Sequence, residues 1–247
     1  MLLEVCVDSF QSALNAKRGG ADRLELCSNL IIGGTTPSLE LLKKIKNEID
    51  IKVNVLIRPR FGDFYYDDYE FEIICADINS VKALGADGIV IGVLNPDGSL
   101  DSERMEKMME ISGDMNVTLH RAFDMTKDMF KTLEEAKRLG INTILTSGGE
   151  NKAIDAIDIL GNLSKCSGSV DIMAGSGINA DIIAEFMKET DIKSYHMSGK
   201  FEKQSKMVYR KSGLSMGLDM MSEYIIWECD EREIAKAKNI MLGGSHV

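Results

Sequence analysis

Two segments of this 247-residue chain set a glutamate and a cysteine two residues apart, Glu4-Val5-Cys6 and Glu25-Leu26-Cys27. On an extended strand that spacing turns both side chains to one face. Carboxylates can move protons, and thiolates are nucleophiles and metal ligands. Arg58, Arg60 and Arg121 offer guanidinium groups suited to holding an anion by paired hydrogen bonds. His120 is followed by Arg121 and, in the same turn, by Asp124. A histidine oriented by a carboxylate beside arginines is an arrangement for general acid–base catalysis. Proton transfer therefore falls to His120 with Asp124, and Glu25 is a further candidate. The alternative is a structural network in which Glu4 and Glu25 pair with Arg58, Arg60 and Arg121, because a bare inward carboxylate is strongly desolvated. A third group comprises Ser147-Gly148-Gly149, Gly175-Ser176-Gly177 and Ser198-Gly199. Ser147, Gly175, Gly177 and Ser198 would let backbone approach a phosphate or another small anion closely. Plain turn glycines are the competing reading there.

These residues need elements to bring them together, and the chain alternates short β-branched runs with helix-period stretches. Predicted strands cover Leu2–Val7, Arg23–Cys27, Lys52–Arg58, Gly88–Gly92, Asn116–Arg121, Thr143–Thr146, Val170–Met173 and Lys193–His196. The intervening segments are amphipathic. In Leu39–Ile49, for example, Leu39, Leu42, Ile45 and Ile49 recur at three- and four-residue steps. Ser38 and Asp101 are placed to cap helices, and Gly19, Gly85 and Gly140 to end them. Gly-Ala-Asp occurs at 20–22 and again at 85–87, as though one helix-to-strand connection were used twice. Eight βα units without a break predict a single α/β domain over residues 1–247, a (β/α)8 TIM barrel with an irregular C-terminal segment. A doubly wound sheet fits less well, because the first turn, Val7-Asp8-Ser9, holds no glycine. In a barrel the loops after the strands' C-terminal ends carry function, and the candidates above fall there. Lys200–Tyr224 shows no clear period, whereas Glu231–Met241 predicts a closing helix.

Composition narrows the function classes. With 29 Lys and Arg against 39 Asp and Glu, the net charge is −10, so a basic footprint for nucleic acid is absent. No apolar run reaches the roughly 20 residues needed to span a bilayer, and the first residues lack a basic, then apolar, leader pattern. A soluble cytoplasmic protein is expected. The five cysteines include no CxxC pair, which favours free thiols over a disulfide framework. Cys75, Cys166 and Cys229 receive no role, nor does His246. The fifteen methionines, among them Met105, Met108, Met109, Met216, Met220 and Met221, read as core filling rather than a thioether metal site.

The strand-end motifs together resemble one family. Glu-Val-Cys-Val-Asp-Ser, Gly-Gly-Ala-Asp-Arg-Leu-Glu-Leu-Cys, Gly-Gly-Thr-Thr-Pro-Ser, Ile-Arg-Pro-Arg-Phe-Gly-Asp-Phe, His-Arg-Ala-Phe-Asp-Met and Leu-Thr-Ser-Gly-Gly are similar, in that order, to the CutC family. The likeness extends from about Met1 to the Met-Xaa-Tyr-Arg of Met207–Arg210, and Phe61 departs from it where relatives often carry glycine. The resemblance implies a TIM barrel, a cytosolic setting and copper handling, with Cys6 and Cys27 as Cu(I) ligands. Soft thiolates suit Cu(I), although free cysteine also fills cores as a small hydrophobe. The ligand expected at the mouth is thus a copper ion or a small anion, with no organic cofactor evident. A homo-oligomer is left open.

Overall fold

The computed structural model describes residues 1–217 and 221–244, so Met220 and His246 lie outside the described residues. Eight parallel strands close on themselves in chain order: β1 (Leu2–Val7), β2 (Arg23–Leu26), β3 (Lys52–Leu56), β4 (Gly88–Ile91), β5 (Asn116–Leu119), β6 (Thr143–Thr146), β7 (Asp171–Gly175) and β8 (Ser194–Met197). The ring shuts where Leu2–Val5 of β1 pair with Ser194–Met197 of β8. Helices follow the strands: α1 (Phe10–Arg18), α2 (Leu39–Glu48), α3 (Asp68–Ala83), α4 (Ser102–Ser112), α5 (Met129–Leu139), α6 (Ile157–Cys166) and α7 (Ala180–Glu189). After β8 the chain forms an antiparallel pair, β9 (Lys200–Gln204) with β10 (Ile225–Cys229), and then α8 (Glu231–Met241). α8 packs against α7 and α1 and completes the helical ring. The pair β9–β10 gives order to part of a stretch in which the sequence shows no period.

Strand alternation sorts side chains into two sets. Leu3, Val5 and Val7 of β1, Val53 and Val55 of β3, and Ile89 and Ile91 of β4 join the large apolar cluster between barrel and helices. Their neighbours in sequence point into the barrel, and many of these are polar: Glu4, Arg23, Glu25, Asn54 and Thr118 are all buried. Bulky aliphatic side chains more often fill such a barrel. Here Arg23 donates to Glu4 at 2.5 Å and reaches Asn116, which also accepts from Asn54 at 3.1 Å. Gly88 makes room for this layer, since a Cβ there would sit 2.3 Å from Asn54 Oδ1.

The Gly-Ala-Asp repeat is one connection used twice. Gly20 and Gly85 take positive φ, and the alanine N–H returns to a carbonyl of the helix. Asp22 accepts the Leu3 N–H at 2.7 Å and Asp87 the Val53 N–H at 2.8 Å, each fastening a neighbouring strand. Gly19 itself is right-handed at φ −70°, so the reversal falls one residue later than expected. Asp101 caps α4, whereas Ser38 makes no side-chain bond to α2. β2, β3 and β5 also stop short of the expected Cys27, Arg58 and Arg121. Arg58, His120 and Arg121 thus lie just past the paired strands, whereas Glu4, Cys6 and Glu25 stay within the ladder.

Candidate functional site

A cavity of about 410 Å³ opens at the C-terminal ends of the strands. Polar groups on its wall come from Cys6, Glu25, Arg58, His120, Arg121, Ser176, His196, Ser198 and Lys200, and Gly177 contributes backbone. Leu30, Leu56, Phe64, Leu145, Ile178 and Met197 supply apolar surface. Its size lies within the range of small-molecule sites, roughly 300–1,000 Å³.

The floor is an ionic chain. Glu4, fully buried, accepts from Arg23 at 2.5 Å and faces His196 Nδ1 at 2.9 Å. Burial alone would raise the Glu4 pKa, but the His196 hydrogen bond and the Arg23 charge outweigh it and lower it below 4.5. For His196 burial opposes charge, yet Cys6, Glu25 and Glu4 hold the imidazolium well above its ordinary 6.5. Glu25 is different. Burial, reinforced by the Glu4 charge and only partly opposed by His196 and Arg23, lifts its carboxyl from 4.5 to about 7, and its Oε2 has no partner among the described residues. Single ligand atoms of Glu4, Glu25 and His196 lie within 4.8 Å of one another, so these three could share a metal ion.

Above that floor, His120 caps a short 3-10 turn over Arg121–Met125. Its Nδ1 accepts the Ala122 N–H at 3.1 Å. Burial first, then the Arg58 charge, lowers its pKa from 6.5 to about 3. A neutral imidazole whose Nδ1 accepts must carry its proton on Nε2, and that atom has no partner among the described residues. Phe64 braces both neighbours: its ring lies 4.7 Å from the His120 ring and 5.0 Å from the Arg58 guanidinium.

The expected site residues divide. Glu25, Arg58, Arg121, His120, Gly177, Ser198 and Cys6 meet at the cavity, beside His196. Asp124 does not orient His120, which corrects that expectation. It accepts from Arg121 Nε at 2.8 Å, Thr146 Oγ1 at 2.5 Å and Ser147 Oγ at 2.9 Å, so it organises the loop after β6. Ser147 is consumed by that hub and does not line the cavity. Arg60 turns outward, bound to Glu70 at 2.5 Å, to Asp63 at 3.1 Å and to the Tyr65 carbonyl. Gly175 is buried below the loop, where a Cβ would meet Leu145 at 2.4 Å. Cys27 lies behind the cavity with Leu56, Val90 and Leu30. It is diagonal to Cys6 rather than opposite, because Cys6 pairs in register with Glu25. Burial pushes the Cys27 thiol far up, with Cys6 adding to the shift.

Three participants went unassigned in the sequence reading. Arg23, rather than Arg58, Arg60 or Arg121, neutralises Glu4; its place two residues before Glu25, on the same strand face, was the available signal. Phe64 and Lys200 left no comparable trace, since one works by stacking and the other arrives on β9.

Residues 1–201 match the family described as CutC. The chain belongs to the CutC family. It is 41% identical over 247 residues to a human protein named copper homeostasis protein cutC homolog, covering 98% of this chain and 90% of that one. A CutC protein of Salmonella schwarzengrund is 40% identical over 242 residues, covering 98% and 97%. A crystal structure of a CutC protein from Streptococcus agalactiae superposes with a TM-score of 0.76 at 31% identity, covering 80% of this chain and 98% of that one. Of the motifs that suggested CutC in the sequence, those holding Cys6, Glu25, Arg58 and His120 reach the barrel mouth. Among the described residues, no helix is long and apolar enough to cross a membrane.

Proposed function

We propose that this member of the copper homeostasis family CutC works in the reducing cytosol and takes one Cu(I) at the barrel mouth, with Cys6 and Cys27 as ligands. Copper is here cargo. The observation that supports the reading is the position of Cys6: its thiol lines the cavity together with His196 and donates to the Met197 carbonyl at 3.6 Å. All five cysteines are free, so sulfur is available in a reducing compartment. Thiolate is a soft donor that suits Cu(I), as it also suits zinc and iron–sulfur clusters. Glu4, Glu25 and His196 offer oxygen and nitrogen, a harder set that would add at most a supporting donor. The Cys27 thiol must lose its proton on loading, so uptake releases protons and strengthens as pH rises.

Competition against a Cu(I) chelator under reducing conditions tests this. The wild-type protein should take up about one equivalent. Cys6→Ser with Cys27→Ser should lose most of the affinity, and Cys166→Ser, on an exposed residue, should keep it. Equal affinity in the wild type and the double variant would leave both sulfurs as core packing.

A further inference from the structure

Arg58 carries a charge that the described protein does not answer. It is only 7% exposed, and its guanidinium donates to the carbonyls of Gly34 at 3.0 Å, Ile32 at 3.5 Å and Gly62 at 2.7 Å. Among the described residues it makes no ion pair, and the Tyr66 hydroxyl beside it brings no charge. The other buried arginine, Arg23, is paired with Glu4. At the mouth Arg121 is paired with Asp124, and Arg60 beyond it with Glu70 and Asp63. Carbonyl dipoles and the Phe64 face hold Arg58 in place, but they bring no negative charge. A buried, unpaired charge is expensive unless something neutralises it.

His120 points to the same conclusion independently. It is 5% exposed, and its Nδ1 is occupied by Ala122, so its Nε2–H is a donor with no acceptor among the described residues. Arg58 and His120 line one cavity, together with Lys200 and the turn at Ser176–Gly177. The remaining walls, Leu30, Leu56, Phe64, Leu145 and Ile178, are apolar and would cover a carbon skeleton.

We propose that the barrel mouth is a binding site for a small organic anion, whose carboxylate or phosphate lies against Arg58 and whose acceptor oxygen meets Nε2–H of His120. The neutral imidazole acts as a hydrogen-bond donor in this site. Arg58 supplies charge and direction, because its fork is already fixed by Gly34, Gly62 and Phe64. Lys200 adds a second cation at the rim. Neither Arg58 nor His120 is a copper ligand in the reading above, so the two sites can fail separately.

The test is calorimetric titration of the full chain with two probes, inorganic phosphate and malonate, each to 20 mM. Saturable binding of phosphate alone would identify a phosphate-bearing ligand, and of malonate alone a carboxylate. Arg58→Gln should weaken binding at least tenfold and His120→Asn several-fold, whereas Arg60→Gln, on the outward arginine, should leave it unchanged. Because Arg58 also holds loops together, the wild-type protein supplies a second readout. The imidazole 15N resonance of His120 Nε2 should shift with probe concentration along the calorimetric isotherm. Cys6→Ser with Cys27→Ser should lose Cu(I) and keep the anion. Absence of saturable binding of both probes, a static His120 resonance, or full affinity in a folded Arg58→Gln protein would overturn the proposal.

Discussion

Replacing His120 by Asn should make the protein less sensitive to acid. His120 is buried and neutral, with a folded pKa of about 3 against 6.5 for the free side chain. Its sign is fixed by linkage. Between those values the unfolded chain binds a proton that the folded chain refuses, so stability is present above pH 6.5 and drains away as pH falls toward 3. At pH 5 this one group removes about 2 kcal/mol, since each pH step across the window is worth about 1.4 kcal/mol. Asn retains an acceptor for the Ala122 N–H and has nothing to titrate. It also leaves a small void, which lowers stability at every pH and so does not alter the slope. Denaturant unfolding of both proteins from pH 8 to pH 5 measures the effect. The wild type should lose about 2 kcal/mol more than the variant over that interval. Parallel curves would mean that His120 is not held neutral, and its assignment as an Nε2–H donor would fall with it.

Glu25→Gln should show the opposite dependence. With its carboxyl raised from 4.5 to about 7, wild-type stability declines as pH rises through that window, by about 3 kcal/mol in full, and the variant should gain on the wild type up to pH 8 in the same unfolding assay. Gly88→Ala drives a Cβ to 2.3 Å from Asn54 Oδ1 and 2.5 Å from the Asn116 carbonyl, so thermal unfolding should report a loss of about 1–3 kcal/mol. Asp124→Asn puts an amide among the donors Arg121, Thr146 and Ser147; a loss of about 2–3 kcal/mol and faster proteolysis in the loop after β6 are expected, with the His120 titration unchanged.

The barrel was legible because its signals repeat. Apolar residues at helix period alternate with β-branched runs, and each βα unit restates the pattern, so an error of one or two residues at Cys27 or Arg121 leaves the topology intact. Local chemistry was equally readable where a side chain serves its own turn, as Asp101 does for α4. It failed where the backbone offers competing choices, as when Gly20 instead of Gly19 takes the positive φ. The β9–β10 pair was illegible for a related reason: β9 is mostly exposed, and an exposed strand need not alternate.

Roles within the site followed another logic. Sequence proximity suggested that Asp124 serves His120, yet the 3-10 turn that begins at Arg121 carries Asp124 away toward Thr146 and Ser147. The histidine is left facing a cation instead of a carboxylate, and this changes its chemistry from proton carrier to neutral donor. Three arginines looked interchangeable as partners for Glu4 and Glu25, but each proved distinct once its neighbours were known. Arg60 is neutralised outside the cavity, Arg121 is held by the loop after β6, and Arg58 alone reaches the mouth with its charge unanswered. Such differences depend on which charges meet across strands far apart in the chain, for which residue spacing holds no code. They also decide what the mouth can take. Its sulfur side suits a soft cation, its Arg58 side an anion, and Glu4 between them is already bound to both Arg23 and His196. A site with both characters can bind cargo and counter-ion without moving a proton through His120.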